Sequence, residues 1–293
     1  MKYQFLLFIL SLLINNSFAS SYGVIGDAGH WNVNAQKVRD SILRSGIKKL
    51  ILPGDNLYDT NLEYQDVWAN WTNVGLKPHV VALGNHHKSI EAELAFFKMP
   101  KSYYSIVEEN IRFIILDSET LTNLDEQFTF LKNELENSTE TFNILVFHHP
   151  SATVSYRHGW KEREAFHLKI LPLLLKYQNR IQLIINGHDH IASLFSFGMI
   201  PSLVSGAVFE SIPAPVFEYE RFDGISIKTR WANTEGFYWA RLDFDSKNKR
   251  IWVNFVRSDL DEVSCSILLL PGSILRRSNC FKKGATFIDV PPM

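Results

Sequence analysis

The chain has 293 residues, of which 46% are hydrophobic, and its 30 basic side chains nearly balance its 31 acidic ones, which leaves a formal net charge of -1. This composition excludes an intrinsically disordered chain, a collagen-like repeat and a small disulfide-rich domain. A chain of this length buries about three quarters of the surface that it exposes when unfolded, so a sizeable core is expected. No block of like charge indicates a nucleic-acid-binding face, and we predict no nucleic acid partner.

The first predicted element, residues 1–19, has the pattern of a secretory signal peptide. Lys2 precedes a largely apolar run, Phe5–Ile14, and the small residue Ala19 stands at the expected cleavage position. A membrane anchor is the alternative, but the run is much shorter than the ~20 residues that a spanning helix needs. We therefore expect a secreted or periplasmic protein with no membrane span after cleavage, in which residues 20–293 form a single domain.

Short apolar runs alternate with longer amphipathic stretches along most of the chain, which predicts an α/β fold. The predicted strands are Tyr22–Ile25, Lys49–Leu52, His79–Leu83, Ile111–Leu116, Phe142–Phe147 and Ile181–Ile185. The predicted helices are Ala35–Ser45, Leu62–Asn73, Ile90–Phe97, Asp125–Asn137 and Glu162–Tyr177. From Leu194 to Val256 helical patterns fade and β-like segments dominate, including Gly236–Phe244 and Arg250–Val256. We expect these segments to complete a second sheet rather than a second domain.

The two cysteines of the chain, Cys265 and Cys280, both lie near the C-terminus. In an exported protein they predict one disulfide, which would stabilise the fold by about 3 kcal/mol. Two buried free thiols are the alternative. Neither cysteine belongs to the chemistry that the other motifs indicate.

Polar loops follow five of the predicted strands, at the point where each strand ends. They read Gly26-Asp27-Ala28-Gly29, Gly54-Asp55-Asn56-Leu57-Tyr58, Gly84-Asn85-His86-His87, His148-His149-Pro150 and Gly187-His188-Asp189-His190. Ligands of open α/β sheets bind beyond the carboxyl ends of the strands, so we expect these loops to converge on one edge. The glycines allow the backbone to turn sharply off each strand towards a common centre.

The side chains in these loops supply oxygen and imidazole donors and no thiolate. Such donors suit iron, manganese or zinc in a hydrolytic site rather than a structural zinc site or an iron-sulfur cluster. Their number exceeds the needs of one metal ion, and a carboxylate can bridge two cations that act together in phosphoryl transfer. Each motif alone is more typical of a turn or a surface histidine. Five of them at strand ends predict a dinuclear metal site.

With these motifs the sequence resembles the calcineurin-like metallophosphoesterases, and within them the small, mammalian-type purple acid phosphatases of the tartrate-resistant group. The subtype rests on Asp27-Ala28-Gly29, where many relatives carry Asp-x-His, and on Tyr58, three residues after Asp55. The resemblance covers residues 22 to 200. It implies a four-layer α-β-β-α sandwich in which two mixed sheets are flanked by helices.

The resemblance also implies a role for each loop residue, with Fe(3+) and a divalent metal, Fe(2+), Zn(2+) or Mn(2+), as cofactors. The implied ferric ligands are Asp27, Tyr58 and His190, the implied bridging ligand is Asp55, and the implied divalent-metal ligands are Asn85, His148 and His188. The implied catalytic residues are His86 as general acid, His158 as a second phosphate contact, and His149, which faces substrate or supports a ligand.

Three features depart from the family pattern. His87 stands where Asp is usual after the Asn-His pair, and Phe147 replaces a glycine before the metal-binding histidine. The segment from His148 to His158 is about one residue longer, which leaves the position of His158 open. His148 is preferred to His149 as the ligand because it stands two residues before Pro150, although the reverse assignment stays open.

The implied function is a secreted acid phosphatase that hydrolyses phosphate monoesters by attack of a metal-bound hydroxide. Its expected substrates are phosphorylated small molecules or phosphoproteins, and a monomer is expected. One alternative is a phosphodiesterase or nucleotide hydrolase with the same metals. The other is a secreted scaffold protein that has kept the fold and lost the activity.

Overall fold

The computed structural model describes residues 20–151, 153, 158, 160–212, 219–222, 225–271, 273–276 and 287–288. Residues 1–19 and Cys280 lie outside this range, so the signal peptide and the Cys265–Cys280 pairing stay predictions. Cys265 itself is buried and disulfide-bonded. Among the described helices, none is both long and apolar enough to cross a bilayer.

Helices separate most of the described strands as far as residue 186, and the described elements after it are strands. The strands are β1 (Ser20–Val24), β2 (Lys49–Leu52), β3 (Lys77–Val81), β4 (Tyr104–Glu108), β5 (Ile111–Ile115), β6 (Phe142–Val146), β7 (Leu183–Asn186), β8 (Ala192–Phe197), β9 (Ile200–Ser205), β10 (Tyr219–Phe222), β11 (Ile225–Asn233), β12 (Tyr238–Asp245), β13 (Arg250–Arg257), β14 (Glu262–Leu270), β15 (Ser273–Arg276) and β16 (Phe287–Ile288). The α-helices are α1 (Val33–Arg44), α2 (Tyr64–Thr72), α3 (Ile90–Phe97), α4 (Leu124–Asn137) and α5 (Glu164–Lys176), and short 3-10 turns span Trp160–Arg163 and Gln178–Arg180.

Two mixed sheets form the centre of the described fold. The first has the order β15-β14-β13-β12-β1-β2-β3, and the second β10-β11-β8-β9-β7-β6-β5-β4, with β16 beside β11. The helices α1, α2 and α3 pack on the first sheet, whereas α4 and α5 pack on the second. The α/β class and the four-layer sandwich of two mixed sheets flanked by helices are therefore confirmed.

The predicted bounds are closest where apolar periodicity is strong. β2 and α3 span the predicted residues, and β3 ends at Val81 rather than Leu83 because the chain turns there towards Gly84 and Asn85. α5 begins at Glu164 rather than Glu162 because a 3-10 turn precedes it. β4 was not predicted, because it is an edge strand in which Tyr104 is the only buried residue.

The β-rich C-terminal part does not complete one second sheet, as the sequence suggested, but divides between both. β12, β13 and β14 extend the first sheet, whereas β8 to β11 extend the second. The reason is that β1 is buried, with Tyr22 and Val24 inaccessible to solvent, so it needs a neighbour on each side. β2 covers one side in parallel pairing and β12 covers the other in antiparallel pairing.

The main core lies between the two sheets and fixes their relative position. Tyr22 and Phe244 of the first sheet pack edge-on with Phe113 of the second, at ring-centroid distances of 5.2 Å for Tyr22–Phe113 and 6.4 Å for Phe113–Phe244. A backbone hydrogen bond also joins the two sheets near the carboxyl ends of β1 and β9, where Gly26 N–H donates to the Ser205 carbonyl at 2.7 Å. The loops after strands of both sheets are thus held at one edge.

Two glycines at this edge are required because the backbone of the loop after β2 packs directly against them. A Cβ on Gly29 would lie 2.2 Å from the Leu57 amide nitrogen, and one on Gly84 would lie 2.2 Å from the Asp55 amide nitrogen. Gly29 N–H also donates to the Asp55 carbonyl at 2.9 Å. Gly29 therefore stands in the first motif because the Asp55–Tyr58 loop packs directly on its Cα.

Replacement of Gly29 by Ala should lower the free energy of unfolding by about 3 kcal/mol, since backbone atoms rather than a movable side chain occupy the new methyl position. Gly75→Ala is the matched control, because its new methyl group would meet no atom within 4 Å. It should lower the free energy of unfolding only by the about 1 to 2 kcal/mol that left-handed backbone costs, since the φ of Gly75 is +88°. Urea unfolding followed by tryptophan fluorescence measures both variants. Equal losses would contradict the packing argument.

Candidate metal centre

Three side chains converge on the phenol of Tyr58. Its Oη lies 3.2 Å from Asp27 Oδ1, 3.0 Å from Asp55 Oδ2 and 3.1 Å from His190 Nε2. These residues come from the loops after β1, β2 and β7, so distant parts of the chain meet here as the sequence predicted. Both carboxylates are almost fully buried.

The two oxygens of Asp55 face different groups. Oδ2 accepts from Tyr58, whereas Oδ1 lies 3.2 Å from His148 Nε2 and accepts from the His86 amide at 2.9 Å. His148 Nε2 is in turn 3.1 Å from Asn85 Oδ1. Asp55 thus stands between an Asp27–Tyr58–His190 cluster and an Asn85–His148 cluster, which is the arrangement of a bridging carboxylate.

The donor set fits a cation better than it fits hydrogen bonding alone. Tyr58 has one hydroxyl hydrogen for two carboxylate oxygens, Asp27 Oδ1 and Asp55 Oδ2. The Nδ1 atom of His190 lies 3.1 Å from Glu210, so Nδ1–H donates there and Nε2 keeps its lone pair for the cluster. Burial and the charges of Asp27 and Asp55 raise the pKa of Tyr58 above its ordinary value. A cation at the centre would remove this repulsion between lone pairs.

His148 is oriented from behind. Its Nδ1–H donates to the Pro53 carbonyl at 2.9 Å, which leaves Nε2 directed at Asp55 and Asn85. Burial opposes protonation of His148, but the carboxylate of Asp55 outweighs it and raises the pKa of the imidazole to about 9. Burial likewise opposes ionisation of Asp55, and the His148 charge outweighs it and lowers the pKa of this carboxyl. In the metal-free protein His148 therefore takes the place of a cation.

His188 is held at both its backbone and its ring. Its amide donates to the Asp27 carboxylate, with N–O distances of 2.9 and 3.1 Å. Its Nε2–H donates to Glu162 Oε2 at 2.6 Å, and Glu162 Oε1 accepts from His158 Nδ1 at 3.0 Å. The hydrogen bond from His188 is the largest cause that lowers the pKa of Glu162 to about 2. The His188 ring centroid lies 5.0 Å from that of His148, so the two histidines predicted to bind the divalent metal are neighbours.

The predicted catalytic histidines lie around this cluster in different environments. His86 is exposed and stacks on Tyr58 with ring centroids 4.4 Å apart. His158 is partly buried, 4.3 Å from the His188 ring. His149 is buried, its Nδ1 lies 2.9 Å from the Ser118 hydroxyl oxygen, and burial lowers its pKa.

Backbone strain falls on the site residues themselves. The φ angles of Asp27, Asp55 and His188 are 58°, 55° and 69°, in the left-handed region that non-glycine residues rarely adopt. Among the glycines that precede site residues, Gly54 has a positive φ of 107°, whereas Gly26, Gly84 and Gly187 allow close approach instead. Such strain persists where surrounding structure over-determines it, which is typical of functional sites.

Several residues around the site were missed by sequence reasoning. Glu162 follows His158 by four residues at the start of a helical pattern, a spacing that would have paired them. Glu210 lies in the β-rich part and carried no signal. Behind Asp55, the buried Glu93 accepts from Asn56 at 2.7 Å and from Tyr64 at 2.9 Å.

The chain resembles known metallophosphoesterases in sequence and structure. A model of the family described as calcineurin-like phosphoesterase matches residues 21–192. Purple acid phosphatase 4 of Arabidopsis thaliana is 27% identical over 225 residues, which cover 62% of this chain and 65% of that protein. This chain therefore spans slightly less than two thirds of that relative's length.

Solved structures at lower identity share the fold. A purple acid phosphatase from yellow lupin (Lupinus luteus) seeds has a TM-score of 0.64 and 15% identity, with 85% of this chain and 53% of that chain covered. GAP50, the anchor in the inner membrane complex of Plasmodium, has a TM-score of 0.62 and 18% identity, with 86% and 88% covered. At these identities they are evidence for the fold alone.

The buried carboxyl of Glu93 makes stability depend on pH. Burial raises its pKa from 4.5 to about 7, so the folded protein holds this proton more tightly than the unfolded chain. The resulting stabilisation is complete below pH 4.5 and is lost as pH rises through 7. The unfolding free energy of wild type relative to Glu93→Gln should therefore fall by about 3 kcal/mol between pH 4 and 8.

Urea unfolding at several pH values measures this difference in metal-free protein. Glu91→Gln, an exposed position on the same helix, is the control. Parallel pH curves for wild type and Glu93→Gln would show that Glu93 ionises normally in the fold.

Proposed function

Because this chain belongs to the calcineurin-like phosphoesterase family, we propose that it is a dinuclear-metal acid phosphatase that hydrolyses phosphate monoesters. The observation that carries the proposal is the position of Asp55, whose Oδ2 contacts Tyr58 while Oδ1 lies 3.2 Å from His148. One carboxylate between two separate donor groups is what a pair of cations requires. Two cations suit phosphoryl transfer, which depends mainly on positioning and charge stabilisation.

The purple acid phosphatase subtype is proposed from Tyr58. A phenol in contact with Asp27, Asp55 and His190 offers a hard anionic oxygen, which suits Fe(3+). The Arabidopsis relative bears the purple acid phosphatase name. The small mammalian-type subgroup is proposed from Asp27-Ala28-Gly29, in which Gly29 takes the place of the histidine of many relatives.

We propose that two metals divide the donors in the following way. Fe(3+) would be held by Asp27, Tyr58, His190 and Asp55, and a divalent Fe(2+), Zn(2+) or Mn(2+) by Asp55, Asn85, His148 and His188. When bound, such a pair supplies Lewis acidity for the attacking water and positive charge for the phosphate.

The histidines around the cluster would position and protonate the substrate. His86 is exposed beside Tyr58, so it can donate a proton to the leaving oxygen, a role typically worth about 10²- to 10⁴-fold in rate. His158 would contact the phosphate. His149 is buried against Ser118 and 4.4 Å from the His188 ring, which favours support of a metal ligand over direct substrate contact.

We propose that the protein is exported, with residues 1–19 as a signal peptide and residues 20–293 as one domain. The disulfide-bonded Cys265 supports this, since disulfides persist in oxidising compartments. The substrates would be phosphorylated small molecules or phosphoproteins, and the protein would act as a monomer.

Two other functions use the same fold. A phosphodiesterase or nucleotide hydrolase would keep the same metal donors, and an inactive scaffold protein would need none of them. The scaffold is less favoured because the donors around Asp55 form a complete, mutually oriented set. The following two experiments separate these functions.

The purified protein should contain two metal ions per chain, including iron, and absorb visible light by charge transfer from the Tyr58 phenolate. Tyr58→Phe should bleach this band while iron remains. Tyr104→Phe, a buried tyrosine whose hydroxyl donates to the Val81 carbonyl, is the control and should keep the colour. Elemental analysis with a visible spectrum measures both, and a metal-free wild-type protein that cannot be reconstituted would favour the scaffold.

The metal-loaded protein should hydrolyse 4-nitrophenyl phosphate faster than its methyl diester. The two esters share a leaving group, but the monoester dianion carries more negative charge towards the two cations. Release of 4-nitrophenolate measures both rates. Faster hydrolysis of the diester would assign the protein to the phosphodiesterases instead.

A further inference from the structure

Glu162 joins two histidines at the rim of the metal centre. Its Oε2 accepts from His188 Nε2–H at 2.6 Å, and its Oε1 accepts from His158 Nδ1–H at 3.0 Å. We propose that Glu162 is a positioning residue that fixes the tautomer of His188, so that His188 offers Nδ1 to the divalent metal. This inference rests on the proposed function, because it assigns a role beside that same metal pair.

The tautomer follows from the chemistry of the partner. A carboxylate has no hydrogen to donate, so the His188 nitrogen that contacts it must carry one. A neutral imidazole with hydrogen on Nε2 keeps its only lone pair on Nδ1, which is then the atom available to a metal ion. Carboxylates that orient metal-binding histidines in this way commonly raise their basicity.

The position of the ring agrees with this role. His188 is fixed at its amide by the Asp27 carboxylate, so its side chain leaves the backbone beside the metal cluster. The ring centroid then lies 5.0 Å from that of His148 and 4.3 Å from that of His158. Glu162 at the Nε2 end prevents the ring from turning over.

Glu162 is itself held in place by the local fold. It lies in the 3-10 turn Trp160–Arg163, which leads into α5. The next residue, Arg163, forms an ion pair with Glu119, and its Nε donates to that carboxylate at 3.1 Å. Phe166, on the first turns of α5, is completely buried in the core of the second sheet. The turn that carries Glu162 is therefore held in place, although the Glu162 carboxylate itself is partly exposed.

Removal of Glu162 should weaken divalent-metal binding. Loss of a second-sphere partner of a metal-binding histidine typically lowers metal affinity by about 10- to 100-fold. Glu162→Ala should therefore weaken one of two zinc-binding steps by that factor. Glu162→Gln should recover part of the affinity, because its amide oxygen can still accept from His188 and its amide nitrogen can donate to His158.

The test uses the full mature chain in two measurements. Nitrogen-15 spectra of histidine-labelled, metal-free protein report the tautomer of His188, and calorimetric titration with Zn²⁺ reports the two affinities. The wild-type protein and Glu162→Gln should show hydrogen on Nε2, whereas Glu162→Ala should show a mixture of tautomers. Glu164→Ala, an exposed glutamate two residues further on, is the control and should match wild type in both measurements.

The inference is overturned if metal-free wild type carries the hydrogen on Nδ1, a result that requires no variant to fold. It is equally overturned if a folded Glu162→Ala keeps both the tautomer and the zinc affinities of wild type. Failure of the proposed function looks different. If the wild-type protein hydrolyses no phosphate ester but Glu162→Ala still binds zinc more weakly than wild type, the phosphatase function is refuted and the role of Glu162 is retained.

Discussion

The structure depends on one electrostatic constraint, which is that two buried carboxylates, Asp27 and Asp55, both lie within hydrogen-bond distance of the half-buried phenol of Tyr58. The single hydroxyl hydrogen of Tyr58 cannot serve both carboxylates at once, and burial of unpaired charge is costly. The protonated His148 offsets this in the metal-free protein. A pair of cations would offset this charge more completely, so the arrangement favours metal binding at this site.

The close approach of these side chains explains why the backbone around the site is unusual. Loops after strands of both sheets must bring their first polar residue to one point, and they do so with left-handed φ angles at Asp27, Asp55 and His188. Gly29 and Gly84 allow neighbouring backbone to pack without an intervening methyl group. Packing between the sheets maintains this strained edge, since the rings of Tyr22 and Phe113 fix one sheet against the other.

The sequence allowed the α/β class, most strand positions and the convergence of the five loops to be predicted, because buried strands read as apolar runs and polar motifs follow their ends. It did not allow the partners of β12 to be predicted, since strand pairing across the chain leaves no periodic signal. Glu162 and Glu210 were missed for a related reason. In the sequence Glu210 resembles any surface glutamate. Glu162 shows only its four-residue spacing from His158, which does not reveal its contact with His188.

The pairing of β1 has a consequence for the order of assembly. Ser20 at the start of β1 lies opposite Phe244, so the first described strand gains one of its two neighbours only after most of the polypeptide exists. Contacts so remote in sequence form slowly, because a long loop must close before they yield any stabilisation. The Asp27 loop, which leaves β1, should therefore reach its final shape only late in folding, and an incomplete chain would lack the edge where the candidate metal ligands meet.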